Sequence, residues 1–394
     1  MNINIDAKTL KSALKNCTMA IEKDNTIPVL NCIRIRSLKG QVVLSATNMD
    51  MWIEQTIEAE IKSPGIRVFD PAPLMALLDD CGDDKTVNLL GLGGNEGTIQ
   101  ATVPTHDFEI QVSLEWVPLG DLPYAPDPKE QTVIGNSAGD LATHINKVKF
   151  AISNEETRYY LNGIYFHGEE DNLVTVATDG HRMATYKSDL GGTFKAASEF
   201  EPFILPRSAV APILACLPVQ GSNATVSYCL ASKDGVAKYF RLFVADEVTI
   251  TTKLIDGTYP DYKRVIPNEA GLTQISLDKT RTTRALKAFS KVAQAVKLKF
   301  PALEIHADGT GMDIKHRSEK IGDIHTRIPA LTKEDIPAFG INGRLALDAI
   351  KNIDADGICM MPGIGEDARH SPIIFRGLDN QDPGFTCVTM PMRV

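Results

Sequence analysis

The chain has 394 residues, a net charge of −9 and 43% apolar residues, the proportions of a globular protein of two or three domains. Its start, Met1-Asn2-Ile3-Asn4, has no basic or apolar leader, and no run approaches the ~18 apolar residues of a membrane helix. The seven cysteines are scattered and form no C-x-x-C, which excludes a disulfide framework or zinc site and points to reduced thiols in a cytoplasmic protein.

In chain order, Asp6 is a fair N-cap for a helix over 6–21, whose stripe is Leu10, Leu14, Cys17 and Ile21. Lys8, Lys11 and Lys15 recur three and four apart and share its other face. A strand is expected over 41–46, and Asp70-Pro71 opens a second helix over 70–78. Strands follow over 98–103 and 108–112, where Phe108, Ile110 and Val112 alternate. Residues 118–129 carry Pro118, Pro123, Pro126 and Pro128 and read as a linker.

The same order returns twice. Leu141, Ile145, Val148 and Ile152 form a second helical stripe, then come a strand over 173–177, a helix over 206–217 and strands over 240–244 and 248–254. After a break at 267–271, Leu286, Phe289, Val292, Ala293 and Val296 mark a third stripe. A strand over 312–315, a helix over 342–353 capped by Asn342, and a strand over 385–390 complete the chain. Helices covering one face of antiparallel sheet make an α+β unit.

Direct matches support the repetition. Val29-Leu30-Asn31-Cys32-Ile33-Arg34-Ile35 returns 131 residues later as Tyr160-Leu161-Asn162-Gly163-Ile164-Tyr165-Phe166, and Ser45-Ala46-Thr47-Asn48 as Val176-Ala177-Thr178-Asp179. So long a period is a duplicated domain, since solenoid repeats are much shorter. Three domains are expected, at 1–127, 128–267 and 268–394. Charge follows the repeat: segments 6–23, 137–153 and 277–299 carry nets of +2, +1 and +6, and the remainder carries −18. An acidic body with one basic helix per third would hold DNA along an inner stripe and repel it elsewhere.

Several motifs resemble catalytic sites without meeting their requirements. Thr178-Asp179-Gly180-His181-Arg182 holds triad residue types, but neighbouring side chains on a strand point apart, so a strand ending in an Asp-Gly turn is expected. Gly91 to Gly97 lacks the Lys-Ser/Thr ending of a phosphate loop and reads as a hairpin loop. His306, His316 and His325 have no metal spacing, and Asp79-Asp80 and Asp83-Asp84 read as solvated loop carboxylates. No cofactor is expected. The C-terminal Met390-Pro391-Met392-Arg393-Val394 is apolar where termini usually fray, and methionine suits a surface that accepts varied peptides.

Residues 157–163 (Thr-Arg-Tyr-Tyr-Leu-Asn-Gly), 177–182 (Ala-Thr-Asp-Gly-His-Arg), 256–267 (Asp-Gly-Thr-Tyr-Pro-Asp-Tyr-Lys-Arg-Val-Ile-Pro) and the ending Met390-Pro391-Met392-Arg393 resemble the bacterial sliding clamp family, the β subunit of DNA polymerase III. The resemblance implies three domains of helices on antiparallel sheet, closed as a head-to-tail homodimer into a ring around duplex DNA. It implies no catalysis. Polymerase, clamp loader and repair proteins would dock by short apolar peptides in a pocket formed by Leu161, Thr178, Gly180, His181, Arg182, Pro260, Arg264, Val265, Val388, Met390, Pro391, Met392 and Arg393. Arg158, Tyr160, Asn342 and Ser371 would flank it. Sequence-independent DNA contact falls to Lys8, Lys11, Lys15, Lys147, Arg207, Arg281, Arg284 and Lys287, with Tyr159 stacking on single-stranded template. Phe108 and Ile110 would meet Gln294 and Ala295 across the subunit interface. Asp24, Pro73 and Glu155 depart from the basic or polar residues of relatives, and Gln294 and Ala295 predict a ring that opens readily. The alternatives are a metal-dependent nuclease, which needs a carboxylate cluster for two metals, and a peptide-binding scaffold with reduced DNA function.

Overall fold

The computed structural model describes residues 1–394 except 23–25, 39, 94–96, 106, 116, 119, 190–200, 220–221, 234–235, 298–301 and 320–321. Asp24 and the centre of the 91–97 loop therefore lie outside the described residues.

The first helices of the three repeats, α1 (Ala7–Thr18), α3 (Ala138–Val148) and α5 (Lys279–Ala295), start in the same way. Each follows a short strand, and each is capped by the residue before it. Asp6 accepts from Thr9 N, Ser137 from Asp140 N, and Asp278 from Arg281 N. One orphan amide of the first turn is satisfied each time. The second helices are α2 (Ala72–Leu78), α4 (Arg207–Cys216) and α6 (Gly343–Lys351). Asn342 caps α6 through the amides of Arg344 and Leu345. α1 is shorter than expected, so Ile21 lies beyond it, and Ile152 likewise falls outside α3. On α5, Leu286, Phe289 and Ala293 are buried, whereas Val292 is exposed.

Among the described residues the strands form three antiparallel sheets. A five-stranded sheet runs in the order Glu60–Ser63, Asn2–Asp6, Thr86–Gly91, Ile99–Pro104, Glu109–Leu114. An eight-stranded sheet runs Glu130–Gly135, Val226–Lys233, Val236–Val244, Val248–Lys253, Met51–Glu58, Gln41–Thr47, Ile33–Leu38, Gly65–Phe69. The third has twelve strands and joins the second repeat to the last through Arg182–Asp189 paired with Phe385–Thr389. Two sheets thus cross repeat boundaries, and the backbone ladder itself ties one repeat to the next.

Alternation explains which face each strand buries. Ile99, Ala101 and Val103 are fully buried, with Gln100 and Thr102 between them on the other face. Among the described residues no helix is long and apolar enough to cross a membrane.

Candidate functional site

Two surfaces are candidates: the exposed faces of the first helices, and a small pocket where repeats two and three meet.

On α5 the spacing of Arg281, Arg284, Lys287 and Lys291 puts four cations on the side opposite Leu286 and Phe289, all exposed. The start of this helix borders an open cavity of about 710 Å³ lined by Lys279, Arg284, Lys287, Asp354 and Asp356. On α1, Lys8 and Lys15 are exposed, and Lys11 is half-exposed in an ion pair with Asp79 at 2.8 Å. Arg207 begins α4 with its side chain exposed. Tyr159 is also exposed, edge-on to Tyr160. Glu155 is spent on Arg158 at 3.5 Å, and Pro73 is exposed on α2.

Lys147 is a correction. It is 6% exposed, and its ammonium reaches Asp382 Oδ2 at 2.5 Å and Asp354 Oδ2 at 2.9 Å. The ammonium also lies 5.7 Å from the centre of the Tyr186 ring and 5.2 Å from that of Phe385. A cation so enclosed is unavailable to a phosphate. Counted from the N-caps, the place of Lys15 and Lys287 is taken in repeat two by Asn146, which accepts from the exposed Lys149 at 2.6 Å. Lys149 and Lys291 therefore join the exposed basic set; one step of 100° around the helix separates the buried lysine from the outward position.

The pocket, of about 100 Å³, is lined by Thr178, Gly180, Arg182, Met183, Pro260, Asp261, Tyr262, Val265, Val388 and Met390. Its walls come from separate repeats, brought together by the pairing of Arg182 with Thr389 and Met183 with Val388. The residues 178–182 form a turn rather than a triad. Asp179 Oδ1 accepts from His181 N and Arg182 N, Thr178 Oγ1 donates to Arg182 O, and Gly180 adopts φ +85°, where a side chain is strained. His181 points outward. Arg182 donates to Asp179 at 3.0 Å and to Asp348 on α6 at 2.8 Å, so one guanidinium braces both repeats.

The other anticipated residues do not line this pocket and are found in several places. Leu161 lies behind it, packed with Val174, Met183, Tyr259, Tyr262 and Val388. Tyr165 stacks on Tyr259 at 4.7 Å, and His167 meets the Tyr262 hydroxyl at 2.9 Å. Burial holds the His167 imidazole below its usual range and pushes both tyrosines up. Arg264 is exposed and paired with Asp261 at 2.9 Å. Ser371 and Tyr160 are half-buried, and Asn342 is engaged as a helix cap. Met392 N donates to Gly340 O at 2.8 Å, where a β-carbon on Gly340 would collide with Met392 O. Arg393 lines a separate cavity with Lys315, His316 and Arg317. Met183, Asp261 and Tyr262 line the pocket in addition to the residues anticipated from the sequence.

No group of three or more His, Cys, Asp or Glu able to hold a metal occurs among the described residues. Asp313 instead accepts from His325 and Arg327, and Asp79 is paired with Lys11.

The family model for the DNA polymerase III beta subunit, N-terminal domain, matches residues 1–110, and that for the central domain matches residues 137–261. The chain belongs to the DNA polymerase III beta subunit family. It is 28% identical over 401 residues to the beta sliding clamp of Caulobacter vibrioides, with 100% of both chains covered. A Caulobacter crescentus beta sliding clamp crystallised with PEG superposes with a TM-score of 0.86 at 26% identity, covering 100% of this chain and 99% of that one. A Bartonella birtlesii sliding clamp bound to griselimycin gives 0.85 at 26%, with both chains fully covered. Membership makes this clamp a non-catalytic processivity subunit of DNA replication, and the nuclease alternative is not favoured.

Proposed function

We propose that this sliding clamp closes head to tail with a second copy, threads duplex DNA past the basic faces of α1, α3 and α5, and holds partner proteins by a peptide in the pocket between repeats two and three. The observation that carries the reading is that helices capped at equivalent positions turn basic residues to solvent on a chain of net charge −9. Cations without base-reading geometry neutralise phosphates at any sequence, which permits sliding. The DNA-facing set is Lys8, Lys11, Lys15, Lys149, Arg207, Arg281, Arg284, Lys287 and Lys291, with Tyr159 beside single-stranded template.

The pocket suits one apolar anchor side chain, its rim carrying Arg158, His181 and Arg264 for the flanking backbone and charges. Tethering a polymerase there replaces repeated rebinding by an intramolecular step at high effective concentration. Phe108, 63% exposed, and Ile110 face a second copy, with Gln294 and Ala295 opposite. The site of action is the cytoplasm. The experiment is retention on circular but not linearised DNA, run beside primer extension by a replicative polymerase. Loss of the clamp from circles as fast as from linear DNA would overturn the ring. A scaffold with reduced DNA function would keep peptide binding and show no retention.

A further inference from the structure

The pocket has walls of two kinds. Thr178, Met183 and Val388 lie opposite one another in a single row across three paired strands, so the ladders fix their spacing. Pro260, Asp261, Tyr262 and Val265, four of the ten lining residues, stand on no strand. Between residues 253 and 269 the only regular element is the short 3-10 helix Tyr262–Val265. Among the described residues, no backbone-to-backbone hydrogen bond joins 256–265 to another segment. A strand is held through its backbone, whereas this wall has to be held by side chains.

Those side chains come from the strand Gly163–Glu169. Successive residues of a strand point to opposite faces, so Tyr165, His167 and Glu169 share one face. Each meets a residue of the wall or its approach. Tyr165 stacks on Tyr259, the rings 4.7 Å apart and 5° from parallel. His167 Nε2 lies 2.9 Å from the Tyr262 hydroxyl, and Glu169 accepts from Lys263 at 2.7 Å. The two polar ties differ in weight. Lys263 is 56% exposed, so its ion pair is screened and contributes little. His167 and Tyr262 are 9% and 8% exposed, so breaking their bond strands a polar group away from water.

Chemistry fixes the direction of that bond. His167 Nδ1 lies 3.1 Å from Gly168 O, and a carbonyl only accepts, so Nδ1 carries the proton. Burial disfavours the imidazolium, which leaves Nε2 a bare acceptor. The Tyr262 hydroxyl therefore donates to it. Tyr262 lines the pocket and His167 does not, so the hydroxyl is drawn off the pocket and the ring is left to form the wall. We infer that His167 is a positioning residue of the peptide pocket: by accepting the Tyr262 hydroxyl it holds the 260–265 wall in place, and so sets the width and apolar character of the seat for the anchor side chain. The inference rests on the pocket reading and adds to it a residue that does not touch the peptide.

The test is binding of a fluorescent apolar peptide to the full chain, read by anisotropy. Tyr262→Phe keeps the ring and loses the hydroxyl, and His167→Leu loses the acceptor. Each is expected to weaken binding roughly 3- to 10-fold. The side-chain carbonyl of His167→Gln accepts the same hydroxyl, so this variant is expected to stay within about 2-fold of the parent. Loss with leucine and recovery with glutamine separate accepting a proton from filling space. His167→Leu with Tyr262→Phe removes both partners and should bind no more weakly than either single variant. Parental binding by both single variants, losses that multiply in the double variant, or a glutamine variant as weak as the leucine one would each overturn the role of His167. Met390→Ala runs alongside. Parental binding there would overturn the pocket reading itself, whereas a loss there with none in the His167 and Tyr262 variants would overturn this inference alone.

Discussion

Lys147 Nζ lies 2.5 Å from Asp382 Oδ2, and both side chains are about 7% exposed, although 235 residues separate them. The pair joins α3 of repeat two to the last turn before the final strand of repeat three, and Asp382 also accepts from Asp354 N at 2.8 Å. Removing one partner leaves a buried charge uncompensated, at a cost of about 3 kcal/mol. Lys147→Met is therefore expected to lower the denaturant midpoint clearly, and Lys147→Met with Asp382→Asn to recover part of the loss. Equal stability of the single variant and the parent would refute the latch.

Charge reversal on α5 should act on DNA and leave stability alone. Arg284→Glu or Lys287→Glu is expected to lower the slope of log affinity against log salt by about one for each phosphate no longer neutralised. Circular-DNA retention at two salt concentrations reads this out. Lys147→Met, by contrast, should leave that slope unchanged.

Met390 is the exposed lip of the pocket, held by the bond from its own amide to His181 O at 2.9 Å. Met390→Ala removes apolar surface from the lip without touching the core and should weaken a fluorescent apolar peptide by roughly 1–2 kcal/mol, or about tenfold. Fluorescence anisotropy measures it. Binding at the parental level would place the peptide elsewhere.

His144 is 1% exposed, between Thr175 Oγ1 at 3.2 Å and Ser188 Oγ at 2.7 Å. Burial lowers its pKa to about 4. The folded state keeps this imidazole neutral while the unfolded chain, near 6.5, takes up a proton. Its contribution is therefore complete above about pH 6.5 and is lost as pH falls toward 4, by up to about 3 kcal/mol. Urea unfolding at pH 7.5 and pH 5 should show the drop, and His144→Gln should flatten it.

All seven cysteines are buried, and burial pushes their thiols up, Cys32 to about 11 and Cys387 to about 12. Since the thiolate is the reactive form, none should react with a thiol reagent until the chain unfolds. Rapid labelling of the native protein would contradict this.

Most strands are legible because alternation survives in short windows: the run over 41–46 is Gln41–Thr47, and that over 248–254 is Val248–Lys253. The strands that precede each first helix are not. Ile275–Asp278 has only four residues and ends in the cap, so a period of two has no length in which to appear. Segment charge flags α3 as basic but does not separate Lys147 from Lys149, since only the packing of the helix fixes which one turns inward. The turn at Gly180 is readable from Asp-Gly alone. Met183 is not: it follows Arg182 by one residue and enters the pocket only because Val388 lies opposite it across the seam.

The pocket walls belong to two repeats clasped by a short ladder, with Arg182 bonded to Asp348 at one end and Lys147 to Asp382 at the other. Its width thus follows the angle between the second and third repeats of the chain. A peptide seated in the pocket would touch both repeats, and by linkage whatever changes that angle would change its affinity.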